Sequence, residues 1–422
     1  MRGNPLSGLR EGGRGGTAGG ARQRTRSVLV AAQVAFALVV LATSGLLLRS
    51  FQRLHAVKPG FDASDVATLW LAVSENRYPG DSSVVRFYSR LTERVGQLPG
   101  IQAVGVTSRV PLSNQNMNSN PFYVEGDAST ATKIPPLEVF VTIDSGYFRT
   151  MRIPRIAGRN FDRLDRQNPD EAIISQETAR VFFHDSTGQK AINRRFQVLP
   201  NGQWHTIIGV VGSVRDTALA SGPARSVYFP ESPGGDTVNS QVYRTMALVA
   251  RTRGDVATAT HAIQQVIRDV DPTLPTFGVQ SMRATVDASV SLLSFTMIVL
   301  AAAAGVTLIL GMIGLYGVMA YVVALRTREL GVRIALGATP GAVAAMVTKQ
   351  GATLCAAGVV AGLVLVVIGA RFVRTLLFEV APSDPIALGA ATVLIAVFAL
   401  LASFIPARRA ARVNPADALR AE

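Results

Sequence analysis

Few side chains in this sequence stand at spacings that do chemistry. Asp144-Ser145-Gly146 has the residue order of an aspartic-protease triplet, but no second such triplet occurs, and that chemistry needs two carboxylates sharing one proton. A turn leading into a helix at Tyr147-Phe148 accounts for these residues better. His55, His184, His205 and His261 are scattered. Cys355 is the only cysteine, which excludes an intramolecular disulfide and a cysteine metal cluster. The phosphate-cradling G-x-x-x-x-G-K-[ST], the zinc motif H-E-x-x-H and the nucleophile elbow G-x-S-x-G are absent. No catalytic residue, metal site or bound cofactor is therefore expected. What remains is an ion pair: Glu329 and Arg333 stand four apart with the acid first, the favourable order on a helix.

That pair lies in residues 326–340, RTRELGVRIALGATP, a short charged stretch between two long apolar runs. Leu325, Val332 and Leu336 fall along one side at helical spacing. Gly337 is placed like a C-cap, and Thr339-Pro340 like the N-cap and first-turn residue of the next helix. The spacing predicts a capped helix, a shape suited to being gripped. A membrane-surface hairpin whose arginines hold topology explains this stretch, taken alone, better.

The flanking elements are membrane spans. The chain has 422 residues, 48% of them hydrophobic and 17% charged, with a mean hydropathy of +0.29. That is too apolar for an ordinary soluble protein and fits spans joined to a substantial soluble part. The first run, 27–48, is about 30 Å long as a helix, enough to cross a bilayer. It is too long for a signal-peptide core and is followed by Arg49, so it reads as a signal anchor. Leu47, Leu48, Phe51 and Leu54 prolong its apolar stripe. The second run, 294–325, would extend about 48 Å against hydrocarbon about 30 Å thick. It is expected to continue beyond the membrane beside the first as a two-helix stalk. Gly311, Gly314 and Gly317 give it a small-residue strip where another helix can approach closely. The third run, 351–370, carries Gly358-x-x-x-Gly362, which serves either intramolecular packing or dimerisation. The fourth run, 386–405, is ended by Pro406.

Charge sets the orientation. Residues 1–26, rich in Gly and Arg without apolar periodicity, read as a disordered basic cytoplasmic tail. They carry Arg2, Arg10, Arg14, Arg22, Arg24 and Arg26 against Glu11. The loop 326–350 carries Arg326, Arg328, Arg333 and Lys349 against Glu329, and the chain ends with Arg408, Arg409, Arg412 and Arg420. The connection between the third and fourth runs balances Arg371 and Arg374 with Glu379 and Asp384. Four spans with both termini inside satisfy each count and place 58–291 outside. The net charge of +14 is explained by this crowding beside the spans, so no nucleic-acid partner is expected.

Residues 58–291 read as a mixed α/β domain. Strand-like segments occur at 66–73, 101–106, 137–143 and 246–250, and amphipathic helices at 82–98 and 257–270. Residues 172–174 lead into a helix-like 177–183, and 196–199 with 204–211 form a hairpin through Pro200-Asn201-Gly202. This alternation suffices for an independent core of one or two subdomains. The four runs hold no Asp, Glu, Lys, Arg or His. A secondary transporter or an ion channel is disfavoured for want of polar mid-membrane sites.

Four stretches resemble one family. ELGVRIALGAT, from Glu329 to Thr339, resembles the cytoplasmic coupling segment of permeases in the macrolide-exporter (MacB-like) and FtsX-like branch of ABC transporters. The tail PARRAARVNPADALRAE, from Pro406 to Glu422, is similar to that family's ending. DSGYFRTMRIPRIAGRNF, from Asp144 to Phe161, and LLLRSFQRLHAVKPGFD, from Leu46 to Asp62, resemble its outer-domain stretch and its exit from the first span.

The resemblance implies an α-helical membrane protein with four transmembrane helices and a large mixed α/β extracytoplasmic domain inserted between the first and second. It implies a basic tail at 1–26, the first helix and stalk at 27–57 and a MacB-like domain at 58–291. An FtsX-like domain at 292–422 follows, with a coupling helix at 326–337. Arg328, Glu329, Gly331, Arg333, Gly337 and Ala338 match the coupling motif and are expected to dock a cytoplasmic ABC ATPase, which binds ATP and Mg on its own subunit. Motion would pass to the outer domain by mechanotransmission, for efflux or for lipoprotein or peptide export. The alternative is a non-transporting relay that activates an extracytoplasmic enzyme. The namesake carries its ATPase at the N-terminus of the same chain; here the Gly/Arg tail stands in that place, so the ATPase is expected on another polypeptide. Other implied partners are a second permease copy or paralogue, a periplasmic adaptor, an outer-membrane channel and membrane lipid. The implied location is the bacterial inner membrane.

Overall fold

The computed structural model describes residues 15–113, 118–126, 135–199, 202–233, 242–336, 338–374 and 377–410. The chain forms two compact units. One holds the residues up to Ala56 and from Leu293 onward, and the other is Val57–Leu292. Helix α1, Gly15–Ala56, opens the first unit. It starts within the stretch expected to be disordered: 15–26 is helical, and 1–14 lies outside the described residues. Extending an existing helix avoids the nucleation cost, and the Ala, Gln and Arg residues of this segment are fair helix formers.

The second unit is built on one mixed sheet flanked by helices. Strand β1 (Val66–Ala72) is followed by α2 (Asp81–Gly96), β2 (Ile101–Thr107), β3 (Ser119–Pro121), β4 (Tyr123–Val124), β5 (Leu137–Ile143) and α3 (Tyr147–Met151). Then come β6 (Arg155–Gly158), β7 (Glu171–Ser175), α4 (Gln176–Phe183), β8 (Arg195–Gln197), β9 (His205–Val211), β10 (Ser226–Pro230) and β11 (Thr245–Thr252). The unit ends with α5 (Val256–Val270), β12 (Thr276–Ser281) and α6 (Met282–Ser289). The strand order is β12-β1-β11-β2-β5-β10-β7-β9-β8-β4, with β3 on β5 and β6 on β9. The expected hairpin is present in a shortened form, with Phe196 opposite His205; Pro200 and Asn201 lie outside the described residues.

Two cores explain the sheet. Around β1, β11 and β2, the apolar face of α2 (Val84, Phe87, Tyr88, Leu91, Val95) and Ile263 and Ile267 of α5 cover Leu69, Leu71, Val106 and Leu248. The second core gathers Phe122, Phe140, Phe196, Ile207, Val227 and Phe229. Between them the sheet is thin, since β2 and β5 are paired only at Thr107 and Ile143. Side-chain bonds reinforce this seam. Asp144 Oδ1 accepts the amides of Val106 (3.0 Å) and Gly146 (3.2 Å), and Ser108 Oγ accepts the Thr142 amide at 2.9 Å. A Cβ on Gly105 would lie 2.6 Å from the Tyr147 nitrogen, so only glycine fits there.

The first unit is completed by α7 (Ser291–Leu325), α8 (Thr327–Ala335), α9 (Pro340–Val373) and α10 (Pro385–Ala410). Among the described residues, four helices are long and apolar enough to cross a membrane: Ser27–Ala56, Ser294–Leu325, Pro340–Gly369 and Pro385–Arg409. Their shared core contains Val34, Leu38, Ala42, Leu315, Met319, Cys355, Ile395 and Ala399. One expectation is corrected: α10 runs through Pro406 to Ala410. Proline removes one backbone bond, but Ala407 is buried against Val343 and Val347 and Arg409 donates to the Tyr316 hydroxyl at 2.8 Å. This packing keeps the last turn helical.

Candidate functional site

Helix α8 is the short element between α7 and α9. Its start is tied back to the preceding helix, because Thr327 Oγ1 donates to the carbonyls of Val323 and Ala324, both at 3.0 Å. Glu329 and Arg333 meet as the acid-first spacing predicts, with Nη2 to Oε1 at 2.6 Å. The other Arg333 nitrogen reaches Met346 Sδ of α9 at 3.2 Å, so one guanidinium joins α8 to α9. The Ala338 amide closes the turn on the Arg333 carbonyl at 2.9 Å. Thr339 Oγ1 accepts the Ala342 amide at 3.3 Å and caps α9, whose first residue is Pro340.

These bonds leave an exposed surface. Glu329, Val332 and Arg333 are exposed, and Leu336 is 82% exposed. Ile334 packs instead with Val343 and Val347. Arg328 and Gly331 lie on the helix, while Gly337 lies outside the described residues. The tail beyond Ala410 also lies outside them.

The packing glycines divide into two sets. A Cβ on Gly358 would stand 2.7 Å from Val34 Cβ, and one on Gly362 2.9 Å from the Ala35 carbonyl oxygen, so α9 lies hard against α1 at both. Gly314 faces Gln33 of α1, whose Oε1 is buried without a hydrogen-bond partner among the described residues. Gly317 is exposed with no atom within 4 Å of an added Cβ, whereas Gly311 is buried beside a small void that it shares with Val34, Ala37 and Ile395. Sequence reasoning passed over Gln33, although a carboxamide inside an apolar run was a signal in plain sight. It also passed over Ser403, which faces Gly351.

The second unit carries a polar cavity of about 560 Å³ beside the seam, lined by Glu93, Asp144, Arg149, Asn160, Arg163 and Arg166. Burial pushes the Asp144 carboxyl up to about 6 against the backbone amide of Val106 and the Arg166 charge. Behind Arg166 stands Glu231, fully buried, with its Oε2 3.4 Å from Nη2; burial drives its carboxyl well above the ordinary range. His205 is buried, with its ring 5.4 Å from that of Phe196 and 5.0 Å from that of Phe229.

Residues 27–266 match the MacB-like periplasmic core domain and residues 301–415 the FtsX-like permease C-terminal domain. The chain is similar to the uncharacterized ABC transporter permease YknZ of Bacillus subtilis, 25% identical over 326 residues that cover 77% of each chain. It is 27% identical over 289 residues to the macrolide export ATP-binding/permease protein MacB of Chromobacterium violaceum, covering 67% of this chain and 43% of that one. The chain thus spans less than half the length of that relative. Among solved structures, the periplasmic region of MacB from Actinobacillus actinomycetemcomitans superposes with a TM-score of 0.36 at 12% identity, over 53% of this chain and 92% of that one. With one domain model covering more than half of its residues and the second covering most of the remainder, the chain belongs to the MacB-like and FtsX-like family of ABC transporter permeases.

Proposed function

We propose that this chain is the membrane subunit through which an ABC ATPase in the cytoplasm moves the unit Val57–Leu292 on the opposite side of the membrane. The observation that carries this reading is α8, a helix fixed at both ends between two spans that presents an ion pair and exposed apolar residues. A 2.6 Å Glu329–Arg333 pair at an exposed site adds only a few tenths of a kcal/mol to the helix, so its value lies in the surface it shapes. Val332 and Leu336 supply apolar contact for a partner. Arg328, Gly331, Gly337 and Ala338 complete the docking segment. ATP and Mg bind to the ATPase in this scheme, which we place on a separate polypeptide.

The arginine bias of 1–26, 326–350 and the chain's end supports cytoplasmic termini and an extracytoplasmic second unit. The exposed, uncovered position Gly317 suits a second permease copy or a paralogue. Names such as macrolide export support efflux as the task, with lipoprotein or peptide export in the same class and a periplasmic adaptor and outer-membrane channel as further partners. The test is purification in mild detergent with identification of the proteins that accompany the chain. Glu329→Lys should abolish retention of a P-loop ATPase while membrane insertion and folding of the second unit stay intact. Equal ATPase recovery with the variant would remove the coupling role. A co-purifying hydrolase in place of an adaptor would turn the reading from exporter to relay.

A further inference from the structure

Beyond the apolar stretch Pro340–Gly369, Arg371 lies in the last turn of α9 and Arg374 is the first residue after its end. Both are exposed and both border one cavity. Two other arginines at this end of the bundle are already engaged. Arg49 pairs with Asp384, and Arg53 donates to the Glu379 carbonyl. Asp384 also accepts the Ile386 and Ala387 amides at 3.0 and 3.1 Å. Among the described residues no carboxylate pairs with Arg371 or Arg374; the Arg371 guanidinium lies over the Phe372 ring, 5.1 Å from its centroid.

Both arginines line a cavity of about 570 Å³ whose apolar wall is formed by Val367, Leu377 and Val380, and Glu379 lines it too. Val367 still belongs to the span, so the cavity crosses from hydrocarbon depth to headgroup depth. Its chemistry is that of two cations, one carboxylate and an apolar wall at the boundary of the membrane. Arginines that merely snorkelled to water would need neither the wall nor the carboxylate. An anionic headgroup would satisfy the arginines but meet repulsion from Glu379.

We propose that this cavity holds a membrane phospholipid with an amine headgroup, its phosphate on Arg371 and Arg374 and its ammonium on Glu379, with acyl chains along Val367 and Leu377. Guanidinium groups match phosphate oxygens in a fork geometry. The site is independent of ATPase docking, so Glu329→Lys should leave lipid retention unchanged.

The test is native mass spectrometry of the full chain in detergent, titrated with dioleoyl phosphatidylethanolamine, with dioleoyl phosphatidylglycerol, and with water-soluble glycerophosphoethanolamine. The wild type should retain the amine lipid about fivefold better than the glycerol lipid. The double change Arg371→Gln and Arg374→Gln should weaken both lipids by roughly tenfold or more. Glu379→Gln should bring the two lipids level without removing either, and thermal melting should show all variants folded. Undiminished lipid on the double variant would overturn the site. Equal retention of both lipids by the wild type would overturn the headgroup assignment. Competition by the soluble headgroup as strong as by the lipid would overturn a membrane source.

Discussion

Glu138 is a carboxylate sealed from water inside the second unit. Thr178 Oγ1 donates to its Oε2 at 2.8 Å, and Arg225 Nε stands 3.1 Å from its Oε1. Burial nevertheless dominates and raises its pKa from the usual 4.5 to about 7. Between those two values the folded unit keeps a proton that the unfolded chain has released. The stability tied to this group is therefore complete below about pH 4.5 and is lost as pH rises towards 7. Glu138→Gln removes the titration while keeping an acceptor for Thr178. Melting curves of the full chain from pH 4.5 to 8 should show a wild-type decline worth on the order of 2–3 kcal/mol across the window, flattened in the variant. A parallel decline in both would assign the pH dependence to other groups. Residues of this kind are the least legible in sequence. Arg109 and Asp216 form a buried pair at 2.5 Å across 107 positions of chain, and no local spacing announces such a partner. Glu329 and Arg333 could be read because a single helix brings them together.

Elements were legible wherever periodicity ran long enough. Helices α2 and α5 follow their apolar stripes, and the four long apolar runs are helices. Strands β6 and β12 escaped notice because their mostly part-exposed or exposed residues give no clean alternation, and β10 because five consecutive buried residues carry no period. The small-residue motifs showed that close helix contacts exist but not which helix makes them, since sequence does not encode the neighbour. The structure separates them: Gly358 and Gly362 are filled by α1, and Gly317 is open. Gly358→Leu should therefore drive α9 from α1 and cost about 1–3 kcal/mol, visible as a lower melting temperature in detergent. Gly317→Leu should leave that temperature unchanged and alter the mass of the assembly instead. A loss of thermal stability from Gly317→Leu equal to that from Gly358→Leu would mean that this part of α7 is packed within one chain after all.

At the scale of the whole molecule the decisive quantity is sidedness. The motor reading requires α8 and the second unit to face opposite compartments. Apolar length alone gives four crossings without saying which end is in; that choice rests on arginine counts, and arginines occur at both ends. The two ends differ in how many basic residues they carry. At the end where α9 meets α10, Arg49 pairs with Asp384, Arg53 is engaged by the Glu379 carbonyl, and Glu379 stands beside Arg371 and Arg374. At the α8 end, Arg326, Arg328, Arg333, Lys349, Arg408 and Arg409 crowd beside the spans, a basic excess of the kind retained inside. The native thiol, Cys355, is buried in the bundle and gives little background. Ser82→Cys, on an exposed turn of α2, should react with an impermeant maleimide in intact spheroplasts, whereas Leu336→Cys should react only after permeabilisation. Labelling of both without permeabilisation would put α8 in the same compartment as the second unit, and a cytoplasmic ATPase could then have no access to it.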